Sequence, residues 1–188
     1  MANDKPYKPA LIIVDFQEDF CPPSGSLAVP SGRTIASPIN HLTTLPFPLI
    51  LATKDFHPSS HISFASNHAS STPYTSTTTI QHPDDPSQSY TTTLWPTHCV
   101  QGTPGCELVP ELDVSRVHAV IEKGQDERVE MYSAFYDPFR PRRRMRCRRD
   151  IPPGLLMKGQ SLSCLISGRS AREAWRTRAS SSRLLMEM

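Results

Sequence analysis

The stretch Leu49-Ile-Leu-Ala-Thr-Lys-Asp-Phe-His-Pro-Ser-Ser-His-Ile-Ser-Phe64 leads from an apolar segment directly into a group of side chains that can bind metals. Residues 49–52 form a short apolar run of the kind found in a strand that is buried on both faces. Pro46 and Pro48 precede it, at a point where a chain enters a strand. The pattern predicts a strand over about 48–53, with the polar side chains at its carboxyl end.

Asp55, His57 and His61 are the side chains in this stretch that can bind a metal. Asp55 and His57 are two residues apart, so in an extended chain their side chains point the same way. His61 follows after a Pro-Ser-Ser turn. One carboxylate and two imidazoles suit a divalent transition metal such as zinc. A polar loop without a metal shows the same spacing, so the spacing alone leaves both interpretations open.

Two further apolar segments predict strands that end beside chemically useful residues. Residues 10–14 are apolar and β-branched and are followed at once by Asp15, and residues 117–121 are followed closely by Lys123. In open parallel sheets the ligand crevice lies beyond the carboxyl ends of the strands, so these side chains and Asp55 are expected to meet there. Two ordinary interpretations stay open, a capping role for Asp15 and a solvated charge for Lys123.

The connections between the strands differ in their apolar pattern. Apolar residues recur at helical spacing over residues 34–45 and predict a crossover helix between the first two strands, although Pro38 interrupts the pattern. Residues 67–93 are rich in Ser, Thr and Pro with almost no apolar periodicity, which predicts a long surface loop. Beyond it, Trp95 and His98 suggest one wall of a pocket for a flat ring, or a tryptophan that closes the edge of the core.

Length and composition favour one soluble domain with an unusual C-terminal part. The 188 residues suffice for one hydrophobic core, and the N-terminus has neither the apolar segment of a signal peptide nor a run that could cross a bilayer. We therefore expect a cytoplasmic protein, with the nucleus left open as a second location. Five irregularly spaced cysteines predict reduced thiols and not a disulfide framework.

Charge divides the chain near residue 139. Residues 1–139 carry four lysines, three arginines and fifteen acidic residues, a formal charge of −8. Residues 140–188 carry twelve arginines, one lysine and three acidic residues, a formal charge of +10. A basic surface selected for nucleic acid rarely excludes lysine so thoroughly, and this tail has only Trp175 as an aromatic for base stacking. We therefore expect no nucleic-acid partner.

Taken together, the motifs resemble a known family. Over residues 8–139 the chain resembles the nicotinamidases of the isochorismatase-like cysteine hydrolase family. Several independent motifs occur in the order typical of that family: Ala10-Leu-Ile-Ile-Val-Asp15-Phe-Gln-Glu-Asp-Phe20, Gly25-Ser-Leu-Ala-Val-Pro30, Thr53-Lys-Asp55-Phe-His57-Pro-Ser-Ser-His61-Ile-Ser-Phe64, Leu94-Trp95-Pro-Thr-His98-Cys-Val-Gln-Gly-Thr103, Glu122-Lys123-Gly124 and Tyr132-Ser-Ala-Phe-Tyr-Asp137.

The resemblance implies a fold and a reaction. The fold is a three-layer α/β/α sandwich around a parallel sheet, in which the C-terminal part of this chain is incomplete. The reaction is hydrolysis of nicotinamide to nicotinate and ammonia, a step of NAD salvage. The resemblance also implies a small-molecule partner and no membrane partner. A homo-oligomer stays open.

Site residues follow from the resemblance position by position. It implies Asp15 as general base, Lys123 as the cation beside it, and a cysteine nucleophile as the third member of a triad. The implied metal is zinc. The remaining positions match metal ligands at Asp55, His57 and His98, a further ligand or ligand-contacting group at His61, and the two aromatic residues that enclose the pyridine ring at Phe20 and Trp95.

The resemblance ends before the nucleophile. The family places this cysteine in a strand-to-helix turn of the form V-x-G-x-A-x-[DE]-Y-C-V, and nothing after residue 139 matches it. Cys164 is the candidate that remains, within an apolar run and not in a turn. We take residues 1–139 as the hydrolase domain and 140–188 as an arginine-rich tail, translated from a shifted frame or an intron.

Three function classes stay open at this point. The first is a nicotinamidase-type hydrolase by descent. The second is a catalytically inactive metal-binding relative, and the third is an isochorismatase-like hydrolase of another substrate. Since a thiolate nucleophile cannot be replaced by Asp15 and Lys123 alone, we expect little nicotinamidase activity from the chain as written.

Overall fold

The computed structural model describes residues 8–135 and 138–139. All of them belong to the first of two units into which the chain divides, Met1–Arg143. The regular elements in chain order are β1 (Ala10–Val14), α1 (Ala36–Thr43), β2 (Leu49–Asp55), β3 (Thr77–His82), β4 (Asp85–Thr93) and β5 (Ala119–Lys123). The predicted boundary at residue 139 stays a prediction, and the tail from residue 140 lies outside the described residues.

A three-stranded parallel sheet organises the described part of the chain. Its order is β1-β2-β5, so β2 lies in the centre, and six of its seven residues are buried. The strands pair in parallel, with Val14 opposite Thr53 and Asp55 opposite Lys123. The α/β fold around a parallel sheet that the sequence predicted is confirmed. Two strands end later than expected, because the polar Asp55 and Lys123 still take part in the sheet ladder.

Helix α1 covers one face of this sheet and forms the core with it. Ile13, Ile50 and Ala52 point to that face, where Ala36 of the helix packs against them. Pro38 stands in the first turn of α1, where a missing N–H breaks no intrahelical bond, so the helix tolerates it. The helix is shorter than the predicted 34–45. No helix in the described ranges is both long enough and apolar enough to cross a membrane.

Strands β3 and β4 correct one prediction. Residues 67–93 were expected to form a long surface loop, but the structure has an antiparallel two-stranded sheet within them. The pairs Thr77–Thr93, Thr78–Thr92 and Thr79–Thr91 place β-branched threonines opposite one another, a pairing that favours a sheet. Ile80 is the fully buried apolar residue of β3. With so few apolar positions, the alternation that signals a strand is absent from the sequence.

Candidate metal and catalytic site

Three strands deliver charged side chains to the same edge of the parallel sheet. Asp15 directly follows β1, while Asp55 and Lys123 are the last residues of β2 and β5. Because neighbouring parallel strands end side by side, the three side chains converge although 40 and 68 residues separate Asp55 from Asp15 and Lys123. The crevice expected at the carboxyl ends of the strands is therefore where these charges meet.

Lys123 forms ion pairs with both carboxylates. Its Nζ lies 3.0 Å from Asp15 Oδ2 and also contacts Asp55 Oδ1. Lys123 is 7 % exposed, so water contributes little to the solvation of these charges. Burial lowers the pKa of Lys123, but the two carboxylates outweigh burial and raise it. The ammonium group therefore stays charged beside the two acids.

Asp15 has the environment of a proton acceptor. The Thr53 hydroxyl donates a 2.7 Å hydrogen bond to Asp15 Oδ1. Burial raises the pKa of the Asp15 carboxyl, and Lys123 opposes that rise. A carboxylate with a raised pKa takes up a proton more readily, which suits a general base. Asp15 also adopts a left-handed backbone conformation with φ of 50°, a rare state that marks a constrained turn.

Asp55, His57 and His98 form a compact group able to hold a metal ion. One ligand atom from each lies within 4.8 Å of the others, and all three residues are buried. The Nε2 atoms of His57 and His98 lie 3.7 Å and 4.0 Å from the two oxygens of the Asp55 carboxylate. Burial alone would raise the pKa of Asp55, but His57 and Lys123 lower it, so the carboxylate is ionised.

The Nδ1 atoms of both histidines bond backbone carbonyls, which leaves Nε2 as the atom available to a metal. His57 Nδ1 donates to the Gly124 carbonyl at 2.9 Å, and His98 Nδ1 donates to the Pro96 carbonyl at 2.7 Å. In a neutral imidazole each Nε2 then carries the lone pair, and it faces Asp55. Burial lowers the pKa of His98, which favours its neutral form. The residues present therefore fit a divalent metal.

His61 lies beside this group but uses both ring nitrogens elsewhere. Its ring centroid is 4.2 Å from that of His57. His61 Nε2 donates to the Val129 carbonyl at 3.2 Å, so Nδ1 accepts from the Ser63 hydroxyl at 2.8 Å. Burial lowers the pKa of His61 to about 4. Of the two roles that the resemblance left for His61, this geometry favours contact with His57, one of the predicted ligands.

Phe20 and Trp95, the predicted ring-binding residues, contact different neighbours. The Phe20 ring centroid is 5.8 Å from that of His98. Trp95 stands edge-on to Tyr74, with centroids 5.9 Å apart, and its indole N–H donates to the Tyr132 hydroxyl at 3.0 Å. Sequence reasoning missed Tyr132 as a partner of Trp95. Tyr132 is the first residue of the motif Tyr132-Ser-Ala-Phe, and nothing in that motif points to Trp95.

Glu130 is a second residue that sequence reasoning missed. It is 3 % exposed, and burial raises the pKa of its carboxyl group, with Ser63 and then His57 acting in the opposite direction. The Tyr90 hydroxyl donates to the Glu130 backbone carbonyl at 2.8 Å. The charge of Glu130 contributes to the raised pKa of His57, after burial and Asp55, but a single Glu in a loop offers no sequence pattern that would reveal it.

The three cysteines of the described part of the chain are buried and unpaired: Cys21, Cys99 and Cys106. Burial raises the pKa of each thiol, most strongly at Cys99, where Asp55, Asp19 and Asp15 add to the effect. A cysteine nucleophile needs the opposite, a pKa lowered by nearby positive charge. Cys164, the predicted candidate, lies outside the described residues.

Comparison with known proteins finds similar chains among nicotinamidases. No model of a known protein family matches the chain. It is 45 % identical over 128 residues to a nicotinamidase of Acinetobacter baylyi, covering 68 % of this chain and 55 % of the relative. It is 43 % identical over 133 residues to a nicotinamidase of Schizosaccharomyces pombe, covering 70 % and 60 %. A crystal structure of the yeast nicotinamidase bound to the inhibitor nicotinaldehyde superposes with a TM-score of 0.65 at 39 % identity, covering 72 % and 65 %.

The parallel sheet with charged residues at its carboxyl edge defines an α/β domain. Over 68 % to 70 % of its length the chain is similar to curated nicotinamidases, at 43 % to 45 % identity. It spans between 55 % and 60 % of the length of the two curated relatives described above. The roles of Asp15, Lys123 and the metal-capable group stay predictions.

Proposed function

We propose that this site belongs to a nicotinamidase-type amide hydrolase, which converts nicotinamide and water to nicotinate and ammonia in NAD salvage. The observation that supports it best is the arrangement of Asp15, Lys123 and the Asp55–His57–His98 group at one edge of the sheet. The wider class also includes hydrolases of other substrates, and the nicotinamidase relatives favour the amide over these.

Zinc is the metal that we propose for Asp55, His57 and His98. Two imidazole nitrogens and one carboxylate oxygen form the ligand set of many zinc enzymes, in which further positions stay open to water or substrate. When bound, the ion would supply a positive anchor for the pyridine nitrogen and for water. The two backbone carbonyls that orient the histidines would hold the ring planes whether or not substrate is present.

Asp15 and Lys123 would perform the proton chemistry. Asp15 would accept the proton of the attacking thiol, and its raised pKa favours that transfer. Lys123, whose Nζ lies 3.0 Å from Asp15 Oδ2, would stabilise the negative charge that passes from Asp15 to the thiol. Phe20 beside His98 and Trp95 beside Tyr132 would contact the faces of the pyridine ring.

A second function has its own support, that of a metal-binding relative without catalysis. The thiols of the described part are buried with raised pKa values, and the family's nucleophile motif has no counterpart after residue 139. Metal binding needs only Asp55, His57 and His98, all within residues 8–139, the region of the resemblance. Under this alternative the metal site persists and the hydrolysis is lost.

One experiment separates the two functions. The purified full chain is loaded with zinc, its metal content is measured, and ammonia release from nicotinamide is followed. Release that disappears in Asp15→Asn but persists in Asp113→Asn, a carboxylate that caps a remote turn, supports the hydrolase. Stoichiometric zinc without ammonia release supports the non-catalytic relative. Absence of both zinc binding and release would refute both functions.

A further inference from the structure

Gln17 is a fully buried side chain that clamps the backbone of a predicted metal ligand. Its Nε2 donates to the Asp55 carbonyl at 2.8 Å, and its Oε1 accepts from the Asp55 N–H at 2.7 Å. The second N–H of the same amide donates to the Cys106 carbonyl at 2.8 Å. With 0 % exposure, Gln17 has no water to compete for these bonds. The end of β2 is thereby tied to the turn at residues 104–106.

Asp19 makes a similar contact to the neighbour of a second predicted ligand. Its Oδ2 accepts from the N–H of Cys99, directly after His98, at 2.6 Å. Cys99 has a left-handed backbone with φ of 47°, a conformation that needs such an external restraint in a residue other than glycine. The carbonyl of Cys99 in turn accepts from the His57 N–H at 3.0 Å. The Asp19 carboxylate therefore acts on the backbone of both histidines.

Space for this contact comes from Gly105. A Cβ atom at residue 105 would lie 2.2 Å from Asp19 Oδ2, so any side chain there would displace the carboxylate. Gln17 and Asp19 are also two residues apart and follow Asp15 by the same spacing. One short segment after β1 thus supplies the proposed base and both contacts to the ligand backbones.

We propose that Gln17 and Asp19 are positioning residues of the metal centre, Gln17 for Asp55 and Asp19 for His98 and, through Cys99, for His57. The inference rests on the proposed metal site and does not require turnover. Both side chains act through backbone groups of the ligand loops and contact no reacting atom. Removing such an outer contact typically lowers metal affinity by ~10–100-fold.

The test uses the full chain and Co²⁺, whose visible absorption reports the geometry of its ligands, followed by competition with Zn²⁺. We expect Gln17→Met to weaken Co²⁺ binding by about 10–100-fold and to change the absorption spectrum. Asp19→Asn keeps the shape of the side chain, and we expect about tenfold weaker binding. Should Gln17→Met fail to fold, Asp19→Asn decides the matter by itself.

Asn40→Leu is the matched control. Asn40 also bridges backbone groups, donating to the Glu111 carbonyl at 2.8 Å and accepting from the Asp113 N–H at 2.9 Å, but it lies away from the metal-capable group. The Asn40→Leu substitution should lower the melting temperature of the metal-free protein without changing the Co²⁺ affinity or the spectrum. Unchanged Co²⁺ affinity and spectrum in Gln17→Met and Asp19→Asn would overturn the inference about these two residues but not the proposed metal site. Failure of the unaltered chain to bind Co²⁺ or Zn²⁺ would overturn the proposed site as well.

Discussion

Replacing Lys123 with methionine leaves two buried carboxylates without their shared cation. At the observed 3.0 Å between Lys123 Nζ and Asp15 Oδ2, an effective dielectric constant of ~20 gives an attraction of about 5.5 kcal/mol. The substitution also removes the cost of burying the ammonium group, which offsets part of that loss. We expect the free energy of unfolding of the metal-free protein to fall by about 3–5 kcal/mol at pH 7, as for other broken buried ion pairs.

The pH dependence of this loss has a definite sign. Burial already raises the pKa of Asp15, and Lys123 is the main group that opposes the rise. Without Lys123 the pKa of Asp15 in the folded state moves further above its value in the unfolded state. The loss of unfolding free energy is therefore full at pH values above the folded-state pKa, and it shrinks as the pH falls through that pKa. Urea unfolding in EDTA at pH 7 and pH 5 measures both values, and the loss should be smaller at pH 5.

Lys54→Met is the matched control for this substitution. Lys54 also lies at the end of β2 and is paired with two acids, Glu107 at 3.6 Å and Glu122 at 3.3 Å, but the side chains of these acids are 61 % and 38 % exposed. Water solvates them when the cation is removed, so we expect a loss of no more than about 1 kcal/mol. Equal losses of unfolding free energy for Lys54→Met and Lys123→Met would refute the conclusion that Asp15 and Asp55, being buried, depend on Lys123 for their charge.

Three further outcomes are expected. His98→Ala should weaken zinc binding more than ~100-fold, since a direct ligand matters more than an outer contact, and isothermal titration of the metal-free chain measures it. Gly124→Ala should both destabilise the fold and weaken zinc binding, because Gly124 has φ of 70° and a Cβ there would lie 2.3 Å from His57 Cε1. The control is Gly102→Ala, where φ is 75° but the space is open, and it should cost only the ~1–2 kcal/mol of backbone strain. The zinc-loaded chain should turn over nicotinamide at less than about 1 per second, below the ~10 per second of a typical enzyme; a rate near the typical value that Cys164→Ala abolishes would contradict this.

The apolar strands and their polar ends were predictable because they are local. Residues 10–14 carry their own apolar pattern, and the rule that parallel strands end at one edge then brings Asp15 and Asp55 together. The predicted strands stop at residues 53 and 121 and leave out Asp55 and Lys123. The reason is that a charged residue in the last position of a strand resembles the start of a loop.

The hairpin of β3 and β4 shows where local patterns fail. Its threonines have high strand propensity, but only two residues of β3 are buried, so no apolar alternation marks the strand. What stabilises it is pairing between Thr77–His82 and Asp85–Thr93, and the Tyr90 hydroxyl bonds the backbone of residue 130. The Tyr90 contact spans 40 residues, so no short window of sequence contains it.

The parallel α/β fold, the resemblance and the residue types at the site could be predicted from the sequence, because each depends on short motifs and their order. Only the folded chain shows which carbonyls the Nδ1 atoms of His57 and His98 bond, that both His61 nitrogens are engaged, and what Gln17 contacts. These depend on which carbonyl or hydroxyl group lies within hydrogen-bond distance, and the Gln17 partners are 38 and 89 residues away along the chain. A side chain's chemical role is thus set by partners that only the folded chain brings to it.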